Sequence, residues 1–350
     1  MTLMTKFVDV PAICRIIERV GIAQFMKGME ATMSEDFKQW QDFDKCARVA
    51  SHSELGVVEL MPIAGPKKYG FKYVNGHPAN TAKGIPTVMA FGALADVETG
   101  YPEMLAELTL TTAFRTAAAS AMAAKALARA DSKIMGMIGC GAQSEFQSIA
   151  FHTLVGIEEI RIFDIDKLAM AKLENHLKQF PSLKVTAVAT AEAAVKGADI
   201  VTTCTADKTW ATILTAQMVE AGMHINAIGG DCPGKTELHK DVLLKSKIFV
   251  EYEPQTRIEG DIQQLPEDHP VHALWEVIAE KTIGREDDQQ ITVYDSVGFA
   301  LEDYSSLRYV YQLATEFNEG EEIALIPSLS DPKDLFGRVV ETNSQKSIAA

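Results

Sequence analysis

The chain has 350 residues, enough for two domains of ordinary size, and its 47% apolar and 23% charged residues are the balance of a globular protein, not a disordered one. The net charge of -15 argues against a nucleic-acid partner, which calls for a basic face. Cys14, Cys46, Cys140, Cys204 and Cys232 form no CxxC pair, so no zinc ribbon, other metal site or thioredoxin-like centre is indicated. Free buried thiols in a reducing compartment are the reading for all five.

The first twenty residues carry Asp9, Arg15, Glu18 and Arg19 and hold no apolar stretch of leader length, so a soluble, cytoplasmic protein without membrane contact is expected. Residues 10 to 40 read as helical, with Ile16, Ile17, Val20, Phe25 and Met26 at three- and four-residue spacings. From about 46 to 110, short apolar runs alternate with turn signals. Val57 to Met61 and Gly70 to Val74 read as strands of an antiparallel sheet, with Asn75-Gly76 and Thr99-Gly100 as turns. Thr112 to Ala130 reads as an alanine-rich helix with Thr111 as its N-cap. The run from Ala117 to Ala128 is too short and too weakly apolar to span a bilayer.

At Lys133 the pattern changes. Ile134 to Ile138 is a short apolar strand, followed by a helical face of Phe146, Ile149, Ala150, Thr153 and Leu154 that Gly156 can end. Ile160–Phe163, Ile200–Cys204, Ile225–Ile228, Ile248–Glu251 and Ile291–Tyr294 read as further strands with amphipathic stretches between them. Strands alternating with helices predict an α/β fold, a Rossmann-type doubly wound parallel sheet, following an α+β unit. After about Gly320 the alternation stops.

Between the strand at 134–138 and its helix lies Gly139-Cys140-Gly141-Ala142-Gln143-Ser144. It matches the dinucleotide fingerprint, with a small Ser where Gly or Ala is usual. The first Gly permits a tight turn, the second lets backbone approach a pyrophosphate, and the helix start offers free N–H groups. Asp164 closes the next strand, twenty residues after Ser144, where a carboxylate binds a ribose 2′-hydroxyl and repels a 2′-phosphate. NAD is favoured over NADP on that ground; the bland alternative for Asp164 is a solvated strand end or a helix cap.

Ile228-Gly229-Gly230-Asp231 and Lys235 follow another apolar strand, placing a carboxylate over the sheet edge where ligands of such folds bind. An Asx-type turn is the even alternative. Arg115 reads as lying in the first turn of the alanine-rich helix, where a cation opposes the helix dipole unless an anion binds nearby. Lys72 shares a strand face with Val74 and points either into a cleft or outward as an edge-strand lysine. Arg48 opens a strand-like run and is otherwise a surface charge. Three cations from separate segments suit a carboxylate ligand, but linear order cannot show that they converge.

At these residues the chain resembles the ornithine cyclodeaminase/mu-crystallin family over essentially its full length. The likeness is carried by Ala47-Arg48-Val49-Ala50-Ser51, Glu59-Leu60-Met61-Pro62, Phe71-Lys72-Tyr73-Val74-Asn75, Glu107-Leu108-Thr109, the Gly139–Ser144 turn, Gly229-Gly230-Asp231 with Lys235, and Asp295-Ser296-Val297-Gly298. Ser51-His52-Ser53-Glu54, Lys72-Tyr73-Val74-Asn75-Gly76-His77-Pro78-Ala79-Asn80 and Asp331-Pro332-Lys333-Asp334-Leu335-Phe336 resemble its bacterial cyclodeaminase branch. The resemblance implies a homodimer, with residues 1–130 as the substrate-binding and dimerisation domain, to which 318–350 return, and 131–317 as the NAD-binding domain. It implies that Arg48, Lys72 and Arg115 hold a substrate carboxylate, that Glu59 and Met61 line the pocket, and that Asp231 is the acid/base at the α-amino group. It further implies NAD contacts from Thr87, Arg115, Gly139, Gly141, Ala142 and Gln143, from Asp164, Thr205, Ile228, Gly229 and Gly230, and from Asp231, Lys235, Ser296, Val297 and Lys333. The implied reaction turns L-ornithine, or a similar small basic amino acid, into L-proline and ammonia with no net redox change. An amino-acid dehydrogenase, a lysine cyclodeaminase, a ketimine reductase or a non-catalytic mu-crystallin-like binding protein are the competing outcomes on the same scaffold.

Overall fold

A computed structural model describes residues 4–206 and 210–340. The first part runs β1 (Thr5–Val8), α1 (Val10–Val20), α2 (Ile22–Lys38), β2 (Asp44–Lys45), β3 (Val49–Ser53), β4 (Gly56–Ala64), β5 (Lys68–Gly76), β6 (Val88–Asp96), β7 (Pro102–Glu107) and α3 (Thr109–Leu127). It continues with β8 (Ile134–Ile138), α4 (Ser144–Ala150), β9 (Glu159–Phe163), α5 (Lys167–Leu177), β10 (Lys184–Ala187), α6 (Ala191–Val195), β11 (Ile200–Thr203), β12 (Trp210–Leu214) and β13 (His224–Ala227). The remainder is β14 (Thr236–Leu238), α7 (Lys240–Leu244), β15 (Lys247–Val250), α8 (Glu253–Glu259), β16 (His272–Ala273), α9 (Leu274–Ile278), β17 (Thr292–Asp295), α10 (Ala300–Glu316) and β18 (Glu321–Ile323).

Two sheets dominate. The first has the order β18-β1-β7-β6-β5-β4-β2, with β3 also on β4, and is antiparallel except where β1 lies parallel to β7. The second, β10-β9-β8-β11-β13-β17-β15-β16, is parallel throughout. The order reverses direction at β8, between β9 and β11, which opens a crevice at the carboxyl ends of those strands. This is the doubly wound α/β sheet that the alternation predicts.

The helix α3 joins the two. It packs against α2, α10 and β6 of one side and α4, β13 and β17 of the other. Ala117, Ala118, Ala119, Ala121, Ala123 and Ala124 are all buried, so the helix is enclosed on most of its faces and its small side chains let both sheets approach. Phe25 of α2 meets Phe114 of α3 edge-on and lies beside Tyr309 of α10, which knits the three helices into one core.

Four local expectations are corrected. Helix α3 starts at Thr109, and Thr111 is not its N-cap: the Glu107 carboxylate accepts from the N–H groups of Thr109, Leu110 and Thr111 at 2.9–3.1 Å. A carboxylate at that end also complements the dipole. Arg115 consequently sits in the second turn, not the first, and pays little against the dipole, which falls off within one turn. Asn75-Gly76 is no turn but the end of β5, because the Asn75 side chain accepts from Met89 N and donates to Thr87 O across to β6. The cysteines are not uniformly buried: Cys14 and Cys46 are exposed, Cys140 is buried, and Cys204 and Cys232 are half-buried. No helix among the described residues is long and apolar enough to cross a membrane.

Candidate active site

The loops leaving the carboxyl ends of the parallel strands carry most of the predicted residues. Gly139 follows β8, Asp164 follows β9, Thr205 lies beyond β11, Asp231 beyond β13, Glu251 follows β15 and Ser296 follows β17. Gly139 has φ +103°, and a Cβ there would lie 2.6 Å from the Cys204 carbonyl oxygen, so only glycine fits. At Gly141 the opposite holds: no atom lies within 4 Å of where a Cβ would be, leaving the backbone open to a ligand. Asp164 accepts from Cys140 N at 2.6 Å and from Asp166 N at 2.8 Å, which ties the turn to the second strand end. Ser144 is fully buried and donates to Gly141 O. Ala142 is exposed beside it, and the buried Gln143 Oε1 has no hydrogen-bond partner among the described residues. The open glycine cradle and the unpartnered acceptor fit a dinucleotide.

Across the crevice, Ile228 N donates to Thr203 O, and the next two glycines are demanded by buried acids. A Cβ on Gly229 would overlap the Glu237 carboxylate at 2.1 Å, and one on Gly230 would lie 2.8 Å from Asp261 Oδ2. Glu237 in turn accepts from Thr205 N and its hydroxyl. Asp231 then stands in the open, its side chain 54% exposed, with the buried Lys235 ammonium 3.1 Å from Oδ1. Burial disfavours the Lys235 charge, but Asp231 and Glu237 outweigh it and hold the ammonium above its usual range. The Asx-turn reading of Asp231 gives way to an exposed carboxylate steadied by a lysine.

The three cations converge. Lys72 is no edge-strand lysine, because β5 is inside the sheet and the side chain is 1% exposed. It donates to Asp303 Oδ1 at 2.8 Å. Arg115 Nε lies 3.0 Å from the same oxygen, and its Nη1 donates to Glu302. Arg48 is no surface charge either: it donates from Nη1 to Glu59 at 3.0 Å and from Nη2 to the carbonyls of Val297 and Gly298, and its Nε lies 3.1 Å from Glu259. Glu59 and Met61 share the buried face of β4, and Met61 is the cross-strand partner of Lys72. Burial works against the Arg48 charge, yet Glu59, Glu259 and Asp231 outweigh it, so the open carboxylate of Asp231 shares the electrostatic environment of the trio.

Residues that sequence reasoning missed hold this array from behind. Glu251 accepts from Tyr294, Ser296 and Gly298 N. Burial pushes Glu302 up to about 8 against the pull of Arg115, and pushes Glu259 up to about 7 against the pull of Arg48. Gly298 has φ +74°, and a Cβ on it would lie 2.7 Å from Arg115 Nη1. A signal was present in Val297-Gly298-Phe299-Ala300-Leu301-Glu302-Asp303, where two acids interrupt an apolar run. Two predicted residues stand apart from these contacts. Thr87 closes the neck of the 77–87 loop, accepting from His77 N at 2.9 Å. Lys333 lies in an exposed turn where its N–H donates to Asp331.

The sequence profile of the ornithine cyclodeaminase/mu-crystallin family matches residues 12–318. The ornithine cyclodeaminase of Brucella suis biovar 1 (strain 1330) is 54% identical over 337 residues, covering 96% of this chain and 94% of that protein. Among solved structures, an archaeal alanine dehydrogenase dimer with bound NAD superposes with a TM-score of 0.85 at 33% identity, over 93% of this chain and all of that one. A lysine cyclodeaminase, solved to explain its recognition of L-lysine, L-ornithine and L-2,4-diaminobutyric acid, gives 0.89 at 28% identity over 95% of this chain and all of that one.

At pH 9, above the range in which burial lets Glu302 keep its proton, Arg115→Met should leave the Glu302 carboxylate without its cation and cost about 3–5 kcal/mol in a urea unfolding experiment. Adding Glu302→Gln should recover part of that loss; a single variant as stable as the parent would contradict the pairing.

Proposed function

The chain belongs to the ornithine cyclodeaminase/mu-crystallin family, and from that membership we propose that it is an ornithine cyclodeaminase, forming L-proline and ammonia from L-ornithine. The observation that carries the reading is the convergence of Arg48, Lys72 and Arg115, from three separate segments, beside the exposed Asp231.

The chain's own groups divide the work. The trio takes the α-carboxylate, and its buried partners hold each cation in place before substrate arrives. Glu59 and Met61 wall the pocket. Asp231 removes a proton from the α-ammonium and later gives one to the departing ammonia, with Lys235 keeping its carboxylate in position. Holding ornithine folded brings its δ-amine to the α-carbon, and the ring closure gains from that proximity. NAD, when bound, supplies a reversible two-electron acceptor at that carbon, so no net redox change results. Gly139, Gly141, Ala142, Gln143 and Asp164 would hold its adenosine and pyrophosphate half. Thr205, the Ile228–Asp231 loop, Ser296 and Val297 would hold the other, with Thr87, Arg115, Lys235 and Lys333 as further contacts.

We assign 1–130 to substrate binding and dimerisation, with the chain from 318 returning to it, and 131–317 to NAD binding. The pairing of β18 with β1 supports the return, and 341–350 lie outside the described residues. A homodimer is supported by the outer face of the first sheet. There Leu60, Tyr73 and Phe91 lie in register, and Leu60 and Phe91 are 41% and 50% exposed.

Three outcomes are expected. Phe91→Lys should turn a dimer into a monomer by light scattering; a parent protein that is already monomeric would remove the dimer reading. NAD⁺ should raise the melting temperature more than NADP⁺, and Asp164→Ser should narrow the gap, whereas equal stabilisation by both in the parent would contradict the ribose role. Ornithine should give proline and ammonia in equal amounts with catalytic NAD⁺, and deuterium at its α-carbon should reappear in proline. In the same assay L-ornithine should stabilise the NAD⁺-loaded protein more than L-alanine, and Asp231→Asn should lose turnover while keeping NAD⁺ binding. Stoichiometric NADH with a released keto acid would instead identify an amino-acid dehydrogenase.

A further inference from the structure

Lys72 is the cation of the trio that depends on a single acid. Arg48 has Glu59, Glu259 and two backbone carbonyls, and Arg115 has Glu302 as well as Asp303. Among the described residues Lys72 has Asp303 alone, at 2.8 Å, with both side chains at 1–2% exposure. The dependence is mutual. Asp303 Oδ1 receives Lys72 and Arg115, and Asp303 Oδ2 is buried with no hydrogen-bond partner among the described residues.

We propose that Asp303, at the start of α10, is a positioning residue that keeps the Lys72 ammonium charged and aimed for the substrate carboxylate. The proposal rests on the carboxylate-binding role assigned above to the trio.

The surroundings leave Lys72 little else. In the sheet its neighbours are Met61 of β4 and Gly92 of β6, neither of which titrates. Arg115 from α3 and Arg48 from ahead of β3 both repel its charge, while Glu302 acts on it from α10 beside Asp303. Burial lowers the lysine to about 8, Arg115 adds to that fall, and Asp303 is the group that opposes it. The linkage has one sign. The carboxylate-binding form of Lys72 is protonated, so affinity is full below about 8 and declines as pH rises through it. Without the Asp303 charge, the decline begins at lower pH.

The test is the pH profile of kcat/KM for ornithine, measured on NAD⁺-loaded wild type, Asp303→Asn and Asp303→Glu. In Asp303→Asn the alkaline limb should move to lower pH by about one unit or more, the size of effect an opposite charge at this distance exerts. Ionisation of free ornithine is common to all three enzymes and cannot move the limb between them. At pH 8 KM should rise by about fivefold or more while kcat at saturation changes far less. Asp303→Glu, which keeps the charge, should restore most of the shift. An unmoved limb in Asp303→Asn, or a glutamate variant no better than the amide, would overturn the proposal. If the amide variant does not fold around a stranded ammonium, Lys72→Met removes that ammonium. In the Lys72→Met background Asp303→Asn should add less than about threefold to KM, and a larger further loss overturns the proposal. If Lys72→Met by itself leaves ornithine affinity unchanged, the carboxylate role of the trio fails instead.

Discussion

Between the two sheets lies a set of opposite charges withdrawn from water, and the architecture around it exists to keep those charges where they are. Moving an ion from water into a protein interior costs several kcal/mol even after relaxation, and pairing repays this only with good geometry. Arg48, Lys72 and Arg115 are each 7% exposed or less and each is matched to a buried acid. Apolar side chains of similar volume would make the same region at least as stable. Stability therefore does not account for the array, whereas the ligand carboxylate proposed for it would. It would find fixed, weakly screened donors that need no rearrangement to receive it.

Much of the fold can be read as the support of that array. The cations come from the α+β side, on β5, on α3 and ahead of β3, whereas Glu259 comes from the end of α8, and Glu251 and the Val297 and Gly298 carbonyls from loops of the parallel sheet. Neither side satisfies the charges alone. The alanine-rich α3 brings the sides close enough, since a larger side chain at Ala118 or Ala121 would hold the strands apart. Gly298 does the same locally, as its missing Cβ is the space the Arg115 guanidinium occupies.

Regular structure was legible in the sequence where periodicity speaks. The inner parallel strands, the glycine turn and its Asp164 followed from short apolar runs and fixed spacing, with strand ends that agree to within a residue or two, whereas the edge strands β10 and β16 did not. Errors arose where a side chain from outside the local window decided the outcome. Glu107 capped α3 in place of Thr111, and Asn75 spent its amide on β6 instead of on a turn. The same limit applied to the site. Arg48, Lys72 and Arg115 were noticeable as cations in apolar settings, but Glu259, Glu302 and Asp303 lie 187 to 231 residues from their partners along the chain or act across the sheet interface. No local spacing rule reaches that far. Burial is what makes these acids matter, and burial belongs to the assembled fold.

The charge count of the array then bears on what it can hold. Glu59, Glu251, Glu259, Glu302 and Asp303 surround three cations, which would leave surplus negative charge if every acid were ionised. Two of them relieve it. Burial lets Glu259 hold a proton up to about 7 and Glu302 up to about 8. Those protons lessen the surplus that the acids would otherwise place around the cations. Asp231 lies outside that relief, open in the cleft with the Lys235 ammonium 3.1 Å from its carboxylate. Lys235 therefore already pairs with it, and any α-amino acid brings an ammonium group beside its own carboxylate. The charges of the array would accordingly suit the end that all α-amino acids share, and discrimination between a basic and a neutral one falls to the groups that meet the side chain.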